Sequence, residues 1–520
     1  MSNVLVAWLK NDNACDVSHL GTVPEFTIDT SYGDHSRFAI DGTGLYVTSI
    51  PPTGNIISTR ILMKDFAGRY ADEELYYSIY LENCTCASTT TTSTTTTGTT
   101  TTGTTTTSTT AAPTACFNKY GDDIFGTSGG DQLGRTVDMS DNGTFVVVSS
   151  PEDDDSGSNA GKVQVFRWTG VAWTQRGSDI LGDSVNDYLG EGIRGKRGVA
   201  INNDGTIIAV SSELGGYVKV YEWGGSDWSQ KGSTLSGTSI GSSVDLNNDG
   251  SILAVGNTTT SSNTGSVNIY EWSGSAWSQK GSTILGESSN DGFGYSLCLN
   301  SAGDFIAIGG PYNDTPTANA GHIRVYQFSG GNWSQKGQEL DGNSDAAGGL
   351  FGSSVSISDD GLTVAGSGPE TGTGYVKVYS FSSTHGIWLS KGSDISEGSS
   401  TDGFGYSIAL DGDGNSIVVG SIYSDPTTGV DAGKVRLFEW NGSSWVKNCT
   451  DIDGDGAGDR FGFCVSISSD SNHLAVGGPK YDNGSNYNAG HIRTYSKTYL
   501  NPSSMPDEYF GSADIINLLP

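Results

Sequence analysis

Nine residues near the C-terminal end, DIDGDGAGD from Asp451 to Asp459, place carboxylates at positions one, three, five and nine, with a glycine at position six. Hard divalent cations are held by several oxygens converging from a tightly curved loop. This spacing offers Asp451, Asp453, Asp455 and Asp459 as ligands for Ca2+. The competing explanation is that the wording repeated along the chain puts Asp or Glu near these places anyway, as in SDILGDSVND.

A second group of polar side chains sits in the loops PEDDDSGSNAG, PYNDTPTANAG, IYSDPTTGVDAG and PKYDNGSNYNAG. Variable polar loops on a rigid scaffold are where recognition usually sits. On that ground Asp153, Asp154, Tyr312, Asn313, Asp314, Tyr423, Asp425, Tyr481 and Asp482 are the candidate ligand-contacting residues. Ordinary solvated loops without a shared ligand are the alternative. Four Trp pairs (Trp168/Trp173, Trp223/Trp228, Trp272/Trp277 and Trp440/Trp445) flank four-residue turns. Facing aromatics stabilise a hairpin by about 0.5–1 kcal/mol per pair, which favours packing over a sugar-stacking platform. The basic patch IRGKRG (Arg194, Lys196, Arg197) reads as a local salt-bridge partner in an acidic chain.

Catalytic chemistry is hard to find. Of the 6 histidines, His322 and His491 occupy equivalent GHIR motifs and His473 a turn; none has a nearby Ser or Cys in a nucleophile setting. There is no Gly-rich phosphate loop, zinc spacing or S-x-D-x-G-x-x-W box. Carboxylates are plentiful enough for a glycosidase pair, but no two stand out. A protein that is not an enzyme is the expectation, with no catalytic residue assigned.

The elements that would position these residues are set by repetition. One unit runs WSQKGSTILGESSNDGFGYSLCLNSAGDFIAIGGP from Trp277 and ends in GHIRVYQF at Phe328. Equivalent units begin at Phe117, Trp173, Trp228, Trp333, Trp388 and Trp445, with a mean period of about 54 residues. Each holds four short alternating segments separated by Gly/Asn/Asp turns: WxQKGxxI, a GYSLCLN-like strand, an AVG-like strand and GxVxVYxW. Four such strands make one propeller blade, and seven blades close a ring. The phase predicts that the segment near Phe117 supplies the outer strand of the last blade, beside GHIRTYS, so that no open edge is left. Strand direction then puts the tight second-to-third and fourth-to-first turns on one face. The long third-to-fourth loops share the other face with the acidic LGDSVNDY, LGESSNDG and EGSSTDG connections.

The Phe-Gly of DGFG (Phe293, Gly294; Phe404, Gly405), GLFG (Phe351, Gly352) and DRFG (Phe461, Gly462) is followed about fifteen residues later by GGP or SGP. This resembles the FG-GAP repeat, best known from the integrin α-subunit propeller. The longer wording W-x-Q-K-G-S-x-I-x-G-E…D-x-F-G-x-S-V-x-L is similar to uncharacterised propellers of marine microbes and their viruses. The resemblance spans Phe117 to about Tyr499 and implies a seven-bladed propeller. It also matches Asp451, Asp453, Asp455 and Asp459 to the integrin-type metal loop, although the family's loops follow the FG strand and this one precedes it. At the family's own position LDGDGNS keeps Asp411 and Asp413 but has Ile417 where the last ligand belongs, so no metal is expected there.

The expected class is thus all-β, with a small N-terminal β-sandwich-like domain over residues 1–86 and a Thr-rich extended linker over 87–115. A seven-bladed propeller over 116–499, closed by an N-terminal outer strand, precedes a tail over 500–520. Runs such as SRFAIDGTGLYVTSI and LYYSIYLEN suggest six or seven strands in the first domain, and KDFAG…YYSIYL resembles a cadherin- or Ig-like module without its calcium motifs. The linker, STTTTSTTTTGTTTTGTTTTSTTAAP, has no apolar residue before Ala111. It cannot bury a core, and its stiff Thr residues favour a stretched tether of roughly 80 Å at full extension.

Among 520 residues there are 75 Gly and a formal net charge of −31, which excludes nucleic acid and anionic membrane as partners. No apolar run reaches the ~20 residues of a membrane span, and the N-terminus is a poor secretory signal. Of seven cysteines, Cys84, Cys86 and Cys116 flank the tether, where a disulfide or free thiols are both open readings. The functional expectation is a recognition or adhesion protein on a virion, of phage-appendage or decoration type. Residues 1–86 would dock to a capsid or tail protein, and the looped face would meet a glycan or protein on a cell surface. A cell-surface or secreted adhesin is the alternative, and a secreted polysaccharide hydrolase the rival from another class.

Overall fold

Strand after strand in the repeats is an alternating run of β-branched residues bounded by turn formers, and each run pairs with the next in the chain. In the computed structural model the described residues are 115–499, apart from 196, 344–347, 371, 372, 398, 400 and 448, together with six short strands before them. Those six form three antiparallel pairs: Phe26–Ile28 with Ile61–Met63, Phe38–Asp41 with Gly44–Val47, and Ile57–Ser58 with Ser78–Ile79. The sandwich expected over residues 1–86, the Thr-rich linker and the tail over 500–520 otherwise lie outside the described residues.

Residues Ala112–Leu500 form one unit. Blade 1 shows the common plan: Val137–Met139 innermost, then Phe145–Ser150, then Lys162–Trp168, then an outer edge made of Trp173–Gln175 and Ile180–Leu181. Six further sheets follow the same order, with innermost strands Val199–Ile201, Val244–Leu246, Ser296–Leu299, Ser354–Ile357, Phe404–Leu410 and Cys464–Ile467. The WxQKGxxI wording was expected as one strand. In blades 1–4, 6 and 7 it is two strand pieces with a break, both paired to the same neighbour. The break falls at the Arg-Gly or Lys-Gly step, where Gly177, Gly232 and Gly281 have positive φ.

Alternation explains why one blade holds two neighbours. Val147 packs with Val163, Val165, Val199 and Val210 toward blade 2, whereas Val146 and Val148 pack with Leu133, Ala475 and Ile492 toward blade 7. Seven such cores separate seven sheets, so the ring is shut. The seam is as foreseen. His491–Tyr499 pairs with Ala115–Lys119 (Phe117 opposite Lys497) and with Ile124–Phe125 (Ile124 opposite Ile492).

The Phe of each FG motif is fully buried at a blade junction, and three of these motifs bridge in parallel to the glycine that opens the preceding blade's third strand: Gly265 with Phe293, Gly321 with Phe351, Gly433 with Phe461. Gly352 shows why glycine follows. Its φ is +92°, and a Cβ there would lie 2.4 Å from the His322 carbonyl oxygen of the neighbouring blade.

Cysteine pairing departs from expectation. Cys116, on the closing strand, is joined to Cys449 across a Cα–Cα distance of 5.4 Å, not to a cysteine beside the linker. Cys298 and Cys464 are buried and form no disulfide.

Candidate recognition face

The four long loops share one construction. The Asp at the fourth position accepts a backbone N–H five or six residues later: Asp154 from Asn159 (2.7 Å), Asp314 from Asn319 (2.9 Å), Asp425 from Asp431 (2.8 Å), Asp482 from Asn488 (2.8 Å). The residue that donates this N–H is left-handed in each loop, φ 50–53°, which Asn and Asp tolerate. A fully buried Ala and a positive-φ Gly follow, and so the recurrent N/D-A-G wording is the loop's exit into its strand.

One position earlier the side chains turn inward. Asp153 is buried against Lys162 at 2.5 Å, and buried Asn313 donates from Nδ2 to Asp291 at 3.1 Å. Tyr481 stacks on His491 with ring centroids 4.3 Å apart. Tyr312 meets Tyr295 edge-on, and Tyr423 lies 5.2 Å from the Arg460 guanidinium. The nine residues selected from sequence therefore do not converge on one point. Those of blades 6, 7 and 1 lie along a continuous arc, and those of blade 4 are set apart by blade 5.

Neighbouring loops back one another. Asn186 N–H donates to Ser158, Gly130 to Tyr487 and Gly458 to Val430, so each first-to-second connection lines the preceding blade's long loop. Apolar tips that the sequence reading passed over stand exposed here: Val185 at 58%, Val430 at 66% and Tyr487 at 72%. The signal was present, a single large apolar residue inside SVND, TGVDAG or SNYNAG.

The other face is drawn together at five of its seven blade junctions. Its tight turns hydrogen-bond around the axis: Asn203 to Asn248, Asn248 to Ser301, Asp359 to Gly412, Gly412 to Ser469 and Ser469 to Asp141, all between 2.8 and 3.1 Å. Behind them lies an axial cavity of about 100 Å³ lined by residues including Asp138, Asp245, Cys298, Ser356 and Ser466. Arg197 enters it and pairs with Asp245 at 3.0 Å, the salt-bridge role expected of that basic patch. Burial, and then the charge of Asp359, push the Asp141 carboxyl up to about 7.

A family model described as FG-GAP repeat matches residues 126–166 and 395–438. The propeller carries FG-GAP repeats. No curated protein matches the sequence. Solved structures similar to this chain include Kuenenia stuttgartiensis hydrazine synthase, 13% identical over 71% of this chain and 96% of that one, with a TM-score of 0.46. A putative 6-phosphogluconolactonase from Bacteroides uniformis is 11% identical over 62% and 86%, with a TM-score of 0.44. At these scores neither likeness bears on function.

In this FG-GAP propeller the Trp pairs pack. Trp272 and Trp277 face each other at 5.4 Å, and Trp277 Nε1 donates to the Lys231 carbonyl of the previous unit at 2.9 Å. Lys231 Nζ in turn lies 4.7 Å from the Trp272 ring. Trp228, Trp333, Trp388 and Trp445 donate in the same way. The W-x-Q-K-G wording is therefore a clamp between successive blades.

The DIDGDGAGD carboxylates are spread among cations. Asp451 lies 3.0 Å from Lys447, 3.2 Å from Lys434 and 3.4 Å from Arg436; Asp453 lies 3.5 Å from Lys434. Asp455 pairs with Arg493, and Asp459 accepts the Gly456 N–H at 2.7 Å. Asp451 and Asp453 flank Ile452 on the outer edge of blade 6, so they are not folded into one loop with Asp455 and Asp459. At the family's own position Asp411 and Asp413 accept N–H groups of their turn, and Ile417 is core.

Proposed function

We propose that this FG-GAP propeller is a non-enzymatic recognition module displayed outside the cell, on a virion appendage or decoration. Its long-loop face would engage a glycan or protein of a cell surface, and residues 1–86 would mount it on a capsid or tail protein. The observation that carries the reading is the contrast between faces. One is made of tight turns, most of them hydrogen-bonded to the next around the axis; the other presents long loops with exposed Val185, Val430 and Tyr487. A disulfide at the seam favours an oxidising setting, and the Thr-rich segment suits projection from a particle. Among the described residues no helix is long and apolar enough to cross a membrane.

The test is a glycan array together with cell binding by the full chain. The double substitution Val430→Ser with Tyr487→Ser should weaken binding at least tenfold with an unchanged melting temperature. Val171→Ser, exposed on the tight-turn face, should bind as wild type. Equal loss in both variants, or turnover of an arrayed polysaccharide, would sink the proposal. Calcium at Asp451, Asp453, Asp455 and Asp459 is a further proposal that requires these carboxylates to leave Lys434, Lys447 and Arg493 and gather into one loop; it is read by repeating the array in chelator, where binding lost and then restored by Ca2+ supports it.

A further inference from the structure

Two blade junctions contain the same group of four side chains. In blade 7, His491 opens the strand and Arg493 follows; Asp123 adjoins from the outer edge and Asp455 from the loop leaving blade 6. In blade 4 the counterparts are His322, Arg324, Glu339 and Glu287. The registers agree, since Ile492 lies opposite Ile124 and Ile323 opposite Leu340, one residue beyond Asp123 and Glu339 respectively. In each group a ring nitrogen and one oxygen from each acid lie within 4.8 Å of one another.

Both imidazoles are completely buried. Neither ring nitrogen of His491 has a hydrogen-bond partner, and Nε2 of His322 has none. A buried polar atom left unpaired costs about 1–3 kcal/mol, so the arrangement is poor for a protein that uses these groups only internally. Blades 1 and 6 supply the contrast. At the same strand position they carry Lys162 and Lys434, whose ammonium groups pair with Asp153 and Asp451. In blades 4 and 7 an imidazole takes the place of that ammonium, while the acids remain. At blade 7 Asp123 and Asp455 share Arg493, and Asp123 also meets Lys119 at 2.7 Å; at blade 4 Glu287 and Glu339 share Arg324. Arg324 reaches Glu287 and Glu339 while His322 Nδ1 meets the other oxygen of Glu339 at 3.0 Å, which fits a guanidinium orienting carboxylates from behind.

We propose that these junctions are two equivalent sites for a first-row divalent metal of the Zn2+ type, held by His491, Asp123 and Asp455 and by His322, Glu287 and Glu339. One imidazole with two carboxylates is a nitrogen–oxygen donor set that suits Zn2+, whereas Ca2+ and Mg2+ take oxygen ligands. Each ion would tie a blade to its predecessor. The idea is independent of what the looped face binds.

The experiment uses the full chain, chelator-stripped and with accessible thiols alkylated, titrated with ZnCl2 by calorimetry and followed by melting temperature. Two equivalents and a Zn2+-dependent rise in melting temperature are expected, and excess CaCl2 should displace neither ion. His322→Lys and His491→Lys should each remove one equivalent, and the double variant both. Lysine is chosen because the fold already accepts it there in blades 1 and 6. A double variant that melts cooperatively yet keeps the wild-type stoichiometry would overturn the proposal, as would a wild-type chain that takes up no Zn2+. Loss of Ca2+-dependent target binding would instead concern the DIDGDGAGD reading.

Discussion

Single side chains in this propeller do structural work that resembles ligand chemistry when only the sequence is in view. Asp154, Asp314, Asp425 and Asp482 look like a row of binding carboxylates, and each closes its own loop on a backbone N–H. Asp141 offers a test at this scale. Its folded value of about 7 lies above the unfolded value near 4. Between those values the folded chain keeps a proton that the unfolded chain releases, so stability falls as pH rises through the window. Asp131, Asp245 and Asp459, each raised by burial to about 6, act in the same direction. Asp141→Asn should flatten the dependence of melting temperature on pH between 5 and 8 and exceed wild type at pH 8. A curve parallel to wild type would rule this out. Trp277→Ala removes both the facing ring of Trp272 and the donor to Lys231, and should cost about 3 kcal/mol in denaturant unfolding.

At the scale of strands and loops, the repeated wording carried most of the architecture. Blade number, strand order and the pairing of the Phe117 segment with the Ile492 strand followed from it, because every unit restates the same alternation and turns. What it could not show was what arises between units. Cys116 and Cys449 are 333 residues apart, and nothing local distinguishes them from the other cysteines. The His491 group likewise gathers residues from the start of the propeller, the exit of blade 6 and the last strand. The acids of the first-to-second connections read as a ligand surface, yet Asp183 pairs with Lys219 and Glu287 with Arg324 across blade boundaries. The disulfide has a measurable share in stability. Cys449→Ser, or reduction of the wild-type chain, should lower unfolding free energy by about 2–5 kcal/mol; an unchanged melting temperature under reductant would contradict it.

For the molecule as a whole, stability depends on closure, since every blade is held by a core on either side and blade 7 lacks its outer edge without residues 115–125. A chain starting at residue 126 should therefore lose its cooperative melting transition, whereas one starting at 112 should keep it. Calorimetry of the two decides the matter, and equal transitions would mean that the closing strand is dispensable.

The position of the cystine has a mechanical consequence. The Thr-rich segment runs directly into the closing strand, so a pull on the segment loads that strand first. Edge strands give way most easily when their ladder bonds are peeled off one at a time. Cys116 is the second residue of this strand, and its bond to Cys449 diverts the load into the sixth blade almost at the point where it arrives. A pull along the segment would meet a covalent link before the ring could unzip from its own beginning.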